Sequence, residues 1–259
     1  MATKTPSLHL IAYIDFLGTK ERIRKDTNNK HFEFLSSLYG DIYKYIEQRN
    51  KEDYHYIKSF KTRTFSDNIL FATSAHLSNI QLCYALGDFI DMAAKIQASA
   101  LINGILTRGG ITIGNICINE YLAYGKGLLE AIDLEENVAN NPRIVIHDCL
   151  EKKCSEYYKS NSYTKKDIDN FRYIDFYSYA VRTASLLEQC TNSLEALTKE
   201  KCGNNKVISK LNWLINQHNE YIEKVFKNEI IHFDTKYFDD STKEKYRIIK
   251  PVVMNSISN

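Results

Sequence analysis

Apolar residues recur along the chain at two spacings, which distinguish the predicted strands from the predicted helices. Residues 8–14 form a short apolar run followed closely by a glycine, a pattern typical of a buried strand. Residues 31–48 and 77–101 carry apolar side chains three and four positions apart, as on one face of an amphipathic helix. The same criteria predict the other elements of this half: a strand pair in 56–74, strands at 105–116 and 143–147, and a helix at 125–140.

The predicted order is β-α-β-β-α-β, followed by one further helix and strand. This is the split βαβ, ferredoxin-like arrangement of the α+β class. Helical patterns resume at 181–197 and 207–226, separated by a predicted loop at 199–206, and a strand ending at Pro251 is predicted near the C-terminus. We therefore predict a core in 1–150 and a mostly helical extension in 151–259, with 151–170 as the connector. A single continuous domain is the alternative.

Composition narrows the class of protein without identifying a partner. The 259 residues are 44% hydrophobic and 25% charged, which is typical of a globular chain. A net charge of +2 gives no electrostatic reason to expect binding to nucleic acid or a membrane. The six cysteines are scattered without a C-x-x-C pair, no apolar stretch has the length of a membrane span, and no signal-peptide pattern opens the chain. We expect a cytoplasmic protein with reduced thiols.

Asp15 is an unusual residue to find at the end of an apolar strand, since an unpaired buried carboxylate is costly. In a ferredoxin-like sheet the first strand neighbours the hairpin that carries Asp67, so the two carboxylates should lie close together. Adjacent carboxylates repel unless one is protonated or a cation lies between them, and Mg²⁺ suits such a pair. The turn that follows, with Gly18 and Thr19, should lead into a helix and present backbone N–H groups to phosphate. Taken singly, Asp15 could instead cap a helix and Asp67 could simply form a turn.

Four segments resemble successive blocks of class III nucleotidyl cyclase catalytic domains: YIDFLG, FSDNILFA, TRGGITIG and YGKGLLEAIDLEENVANNPRIVI. The R-G-G-I…G and A-x-x-L-E…A…P-R-I variants are most similar to the bacterial pyrimidine (uridylate and cytidylate) cyclases of the Pycsar anti-phage system. The resemblance covers roughly residues 8–147. It implies the class III cyclase fold and a head-to-tail homodimer with sites built from both subunits.

The resemblance also implies roles for individual residues. Asp15 and Asp67, with the carbonyl of Phe16, would hold two Mg²⁺ or Mn²⁺ ions per active site. Those ions would bind a nucleoside triphosphate, whose ribose 3′-hydroxyl attacks the α-phosphate and expels pyrophosphate. Arg108 lies in the matching R-x-G-I block and is the candidate catalytic cation. The remaining candidates for substrate binding are Gly18, Thr19, Arg63, Tyr121, Lys126 and Arg143.

Two departures from the family pattern bear on activity and on the base. Leu129 and Asp133 occupy the positions of an Asn and an Arg that orient ribose and stabilise the transition state in many class III cyclases. Either another cation, from Arg108, Arg143 or Lys126, takes over, or the site is inactive. Arg143 could alternatively be a helix-end or surface charge.

The residues that select a purine are also absent, because Arg63 and Leu122 stand at the positions of a Lys and an Asp. Arg63 could reach a pyrimidine carbonyl, and Tyr121 or Tyr124 could stack on the ring, although each tyrosine could equally serve only packing. The sequence thus predicts a cyclase that makes cyclic UMP or cyclic CMP from UTP or CTP as a defence signal. The alternatives are a purine cyclase and an inactive, cyclase-like nucleotide sensor or interaction module.

Overall fold

A mixed β-sheet is the central feature of the computed structural model, which describes residues 5–51, 60–155, 158, 163–180, 184–200, 205–227 and 247–252. The strands are β1 Ser7–Leu17, β2 Lys61–Phe65, β3 Asn68–Ser74, β4 Leu106–Ile118, β5 Ala123–Tyr124, β6 Ile144–Ile146, β7 Thr164–Lys166 and β8 Arg172–Ile174. The helices are α1 Thr19–Lys25, α2 Lys30–Lys51, α3 Asn79–Ile102, α4 Lys126–Asp133, α5 Asp148–Lys153, α6 Phe176–Ala180, α7 Ala184–Glu200 and α8 Asn205–Phe226. A π-helical turn, Leu134–Val138, follows α4 directly.

The sheet order confirms the ferredoxin-like prediction. Within the described residues the strands are arranged β2-β3-β1-β4-β6-β8-β7, and β5 pairs with the end of β4. Strands β2, β3, β1 and β4 run antiparallel to their neighbours, with β1 between β3 and β4, as the split βαβ arrangement requires. Strand β6 then pairs parallel to β4, and β8 and β7 extend the sheet antiparallel. The protein is therefore of the α+β class.

The two faces of the sheet are covered in different ways, because successive strand residues point to opposite faces. On one face Leu10, Ala12, Ile14 and Phe16 of β1 join the main apolar core, to which α2, α3, α7 and α8 contribute. That core includes described residues on both sides of the predicted boundary at 150.

The second face is covered by α4, which lies directly on glycines of β4. A Cβ at Gly110 would lie 2.5 Å from the Ala131 carbonyl oxygen, and one at Gly114 would lie 2.6 Å from Gly127 Cα. The glycines of the R-G-G-I…G block therefore let the helix approach the strand.

Most predicted elements of the first half are confirmed, and the differences lie near the site and in the second half. Strand β1 continues two residues beyond Asp15, so this carboxylate lies within the strand rather than at its end. The segment 151–170 was predicted as a connector, but its described part includes the end of α5 and the edge strand β7. Residues 201–204 of the predicted loop lie outside the described residues.

The strand predicted near the C-terminus is not present in residues 247–252. This segment instead lies on α8, where two asparagine side chains bond its backbone groups in place of a neighbouring strand. Asn219 exchanges two hydrogen bonds with the backbone of Ile249, and Asn212 does the same with Val252, at 2.8–2.9 Å. Among the described helices, none combines the length and apolar character that a membrane span requires.

Candidate functional site

Asp15 lies on the second face of the sheet, between the strands that flank β1. Its Cα is in register with Asn68 of β3 and with Arg108 of β4. Directly opposed residues of antiparallel strands share a face, so the Asp15 carboxylate and the Arg108 guanidinium emerge together, with Nε 4.0 Å from Oδ2. Burial, and then the charge of Asp67, raise the pKa of Asp15, while Arg108 and a hydrogen bond from Asn68 lower it in part. The carboxylate is thus incompletely compensated.

Asp67 lies in the β2–β3 turn beside the end of β1. The Phe16 N–H donates a 2.8 Å hydrogen bond to the Asp67 carbonyl, which fixes the turn against β1. Ser66 adopts a left-handed backbone at φ 52°, and this allows the two-residue turn to close. The structure therefore brings the Asp15 and Asp67 carboxylates together, as the predicted topology requires.

The segment after Asp15 forms a turn and then a helix, as predicted. Gly18 has a left-handed backbone at φ 80° and precedes α1, with open space on the side where a Cβ would lie. Thr19 is buried, and its hydroxyl donates a 2.8 Å hydrogen bond to the Phe16 carbonyl. This bond fixes the turn and leaves the second lone pair of the Phe16 oxygen for another partner.

Arg108 pairs most closely with a residue for which the sequence had suggested no role. Its Nε contacts Oε1 of Glu135, which is 3% exposed and lies in the π-helical turn after α4. Burial raises the pKa of Glu135 to about 7, with Arg108 opposing that shift and Asp15 adding to it. Glu135 is the glutamate of the A-x-x-L-E block, and the π-helical turn is a feature that is frequent at functional sites. We call Asp15, Asp67, Arg108 and Glu135 the Asp15 cluster.

Lys210 of α8 is a second residue near the site that sequence analysis missed. Its charge acts on Asp15 and on Glu135 and lowers the pKa of both carboxyls. Burial, and then the charge of Arg108, lower the pKa of Lys210 itself. Nothing in the local sequence singles out this lysine, because it reaches the site only through the packing of α8.

Arg143 does not belong to the site, which corrects the expectation that it binds substrate. It is 1% exposed, and its terminal nitrogens pair with Asp167 and Asp169 and donate to the Val138 carbonyl at 3.1 Å. The alternative that it is a surface charge is wrong, since the guanidinium is buried, whereas its bond to Val138, the last residue of the π-helical turn, agrees with a helix-end charge. We call Arg143, Asp167 and Asp169 the Arg143 cluster.

The other candidates for substrate binding lie around the site at greater distance. Arg63 faces the same side of the sheet as Asp15, and its guanidinium donates to the Asn119 carbonyl. Arg63 and Tyr121 both line a cavity of about 1190 Å³ between α2, β2 and the β4–β5 loop. Tyr121 is 92% exposed, and Lys126 is exposed at the first position of α4.

The donor set at Asp15 and Asp67 fits a hard divalent ion better than a soft one. Among the described residues, no group of three or more His, Cys, Asp or Glu side chains could enclose a metal ion. Two carboxylates and a backbone carbonyl remain, which is the kind of partial oxygen shell that Mg²⁺ completes with water and substrate phosphates. Burial and the charge of Asp67 raise the pKa of Asp15 despite Arg108 and Lys210, so a bound cation would stabilise its charged form.

The solved structures to which the chain is similar include two cyclase domains. No protein-family model matches the chain, and none of the curated proteins matches it in sequence. The monomeric guanylyl cyclase domain of the RhoGC fusion protein from the aquatic fungus Blastocladiella emersonii is 14% identical, with a TM-score of 0.46 over 66% of this chain and 96% of that one. The catalytic core of a rhodopsin-guanylyl cyclase with converted specificity, in complex with ATPalphaS, is 13% identical, with a TM-score of 0.46 over 67% and 98%. At this level the likeness carries no conclusion about activity.

Proposed function

We propose that the protein is a metal-dependent nucleotide cyclase that converts UTP or CTP to the 3′,5′-cyclic monophosphate and pyrophosphate. The observation that carries the proposal is that the β2–β3 turn is bonded to the end of β1, so that the charges of Asp15 and Asp67 interact at one edge of a ferredoxin-like arrangement of strands. The four motif blocks that resemble class III cyclases support it independently of the geometry.

The residues of the Asp15 cluster have complementary tasks in this reaction. Asp15, Asp67 and the Phe16 carbonyl would hold the divalent ions, which when bound neutralise the triphosphate and polarise the ribose 3′-hydroxyl. A bond forms between the 3′-oxygen and the α-phosphorus while the hydroxyl proton passes to water. The bond from the α-phosphorus to the bridging oxygen breaks, and pyrophosphate departs with that oxygen. Arg108 holds the Asp15 carboxylate in place, and Glu135 fixes Arg108 in turn. Positioning and charge neutralisation are the main requirements of such a transfer.

The preference for a pyrimidine rests on residues at or next to the cavity that Arg63 and Tyr121 line. Arg63 provides donors that match a pyrimidine carbonyl, whereas the exposed Leu122 offers no hydrogen bond to a purine edge. Tyr121 is free to stack on a base because its ring is almost fully exposed.

A homodimer is part of the proposal. Four large apolar side chains are exposed within one short stretch of the β4–β5 loop, β5 and α4: Tyr121, Leu122, Tyr124 and Leu129. Exposed apolar side chains that are concentrated in one segment favour an interface there. Light scattering on the purified protein, compared with Leu129→Glu, tests this: we expect a dimer that the substitution dissociates, and a monomeric parent protein would contradict it.

The second candidate function is an inactive nucleotide-binding module. It is favoured by Leu129 and Asp133, both exposed on α4, which cannot donate to ribose or stabilise negative charge. Arg108, the nearest alternative cation, is already paired with Glu135.

The decisive experiment is incubation of the purified protein with each of the four NTPs and Mn²⁺, followed by identification of cyclic products by mass spectrometry. We expect cyclic UMP or cyclic CMP from the parent protein and none from Asp67→Asn. Product from ATP or GTP alone would replace the pyrimidine proposal with a purine cyclase. Binding of a nucleotide without any turnover would identify the inactive module.

A further inference from the structure

The proposed reaction needs a cation that the predicted candidates do not provide. A departing pyrophosphate accumulates negative charge, which a cation on the phosphate side of the site would stabilise. Arg108 is paired with Glu135, and Arg143 is buried against two aspartates. Lys126 is exposed at the start of α4, on the far end of that helix from Glu135.

Lys210 is close to the Asp15 cluster and borders the turn that follows β1. It interacts electrostatically with Asp15, Glu135 and Arg108. It also lines a cavity of about 830 Å³ together with Leu17, Gly18 and Leu106, which are the residues at the end of β1 and the start of β4. No carboxylate among the described residues forms an ion pair with its ammonium within 4.0 Å.

Two other basic residues that line this cavity are engaged elsewhere, while Lys30 and His31 line it from the start of α2. Arg22 donates to the Gly104 carbonyl, and Lys25 forms a 2.7 Å ion pair with Glu21 on the same helix. Among the described residues that line the cavity, Lys210 is the cation whose charge acts on both Asp15 and Glu135. A half-buried lysine in this position keeps its charge in surroundings where solvent screens it less than at the surface.

We infer that Lys210, supplied by α8 of the C-terminal half, binds the β- and γ-phosphates of the substrate in the cavity beside Gly18. The inference rests on the proposed function, because it concerns the polyphosphate of that same reaction. The inference assigns a role to the second half of the chain: its helix α8 would supply the lysine that binds the phosphates. This lysine would also supply a positive charge that Asp133 in α4 cannot provide.

The test uses the full-length protein and a probe that has no base. Isothermal titration calorimetry with tripolyphosphate and Mg²⁺ is performed on the parent protein, Lys210→Ala, Lys210→Arg and Lys227→Ala. Lys227 is a matched control, an exposed lysine just after α8 and about 25 Å from Lys210 at 1.5 Å per residue. We expect at least a tenfold weaker affinity for Lys210→Ala, substantial recovery for Lys210→Arg and no change for Lys227→Ala.

Turnover provides a second measurement, with the nucleotide that the NTP panel identifies. Lys210→Ala should raise KM or lower kcat by tenfold or more, while the unfolding temperature stays close to that of the parent protein. Unchanged tripolyphosphate affinity in Lys210→Ala, or no tripolyphosphate binding by the parent protein, overturns the inference. If no NTP is cyclised but tripolyphosphate binding depends on Lys210, the cyclase proposal fails and the phosphate site stands.

Discussion

The Asp15 cluster and the Arg143 cluster both combine carboxylates with one arginine, yet carboxyl pKa values are raised in the first and lowered in the second. In the Arg143 cluster the guanidinium hydrogen-bonds both carboxylates directly, and this pairing lowers the pKa of Asp169. In the Asp15 cluster Arg108 contacts Glu135 but lies 4.0 Å from Asp15, and burial raises the pKa of both carboxyls.

The difference distinguishes a cluster that stabilises the fold from one that is prepared for a ligand. Both terminal nitrogens of Arg143 are bonded within the protein and its Nε is buried, so the guanidinium offers no accessible donor to a substrate. Carboxyls with raised pKa values hold unfavourable charge that a divalent ion would relieve on binding. Perturbed carboxyls that remain partly exposed are accordingly better candidates for function than fully paired ones.

Removing the carboxylates of the Asp15 cluster should have the largest effect. We expect Asp15→Asn or Asp67→Asn to reduce cyclic nucleotide formation by about a thousandfold or more, a barrier increase of roughly 4 kcal/mol, because two-carboxylate coordination is lost. Without metal, Asp15→Asn should not lower stability, since it removes a charge that burial disfavours. Initial rates and urea unfolding measure the two effects.

Asp41→Asn is the matched control for these substitutions. Asp41 is exposed on α2, and its nearest cation, Lys44, lies 3.8 Å away. Its amide variant should keep both activity and stability. Full activity in Asp15→Asn and Asp67→Asn would remove the metal assignment, and a large loss of stability would erase the distinction between the clusters.

Arg143→Met should lower stability and leave activity unchanged, the opposite of the effect expected for Asp15→Asn. Removing one partner of a buried ion pair leaves the others uncompensated, so we expect a loss of about 3 to 5 kcal/mol in the free energy of unfolding. Activity per folded molecule should stay near that of the parent protein. Arg24→Met, at an exposed position of α1, is the control and should unfold like the parent protein. A stable Arg143→Met variant with lost turnover would return Arg143 to the list of substrate-binding residues.

The sequence predicted that Asp15 and Asp67 lie close together, because the elements that carry them can be recognised from short segments. A buried strand and a hairpin with a polar turn are readable from spacing, and the ferredoxin-like order brings them together. The partners of Arg143 were not predictable in this way, because Asp167 and Asp169 lie in a turn beside strands of only three residues, too short and polar to show alternation. The approach of Lys210 depends on how α8 packs, for which the amphipathic pattern gives a face but no position along the sheet.

Glu135→Gln should remove a loss of stability that the parent protein shows as the pH rises. The folded-state pKa of about 7 exceeds the ordinary value of 4.5, so between these pH values the folded protein binds more protons than the unfolded chain. The free energy of unfolding therefore falls as pH rises through this window, and we expect Glu135→Gln to remove a decline of about 1 to 3 kcal/mol. Urea unfolding at pH 4.5 and 7.5 measures it. Identical slopes in the variant and the parent protein would contradict the assignment.

Asp169→Asn should change the pH dependence of stability less than Glu135→Gln does, and in the opposite direction. Arg143 lowers the folded-state pKa of Asp169, so this carboxylate contributes stability above its ordinary pKa of 3.8 and loses it as pH falls through the folded value. Its side chain is 40% exposed and the pair is screened by solvent, so we expect a loss of only about 0.5 to 1 kcal/mol at pH 7. At pH 3 the variant and the parent protein should be closer in stability than at pH 7. The Asp169 carboxyl of the parent protein is then protonated in a larger fraction of both folded and unfolded molecules. A variant that is equally stable at pH 7 would mean that Asp167 alone compensates Arg143, and that the Arg143 cluster is a single buried pair.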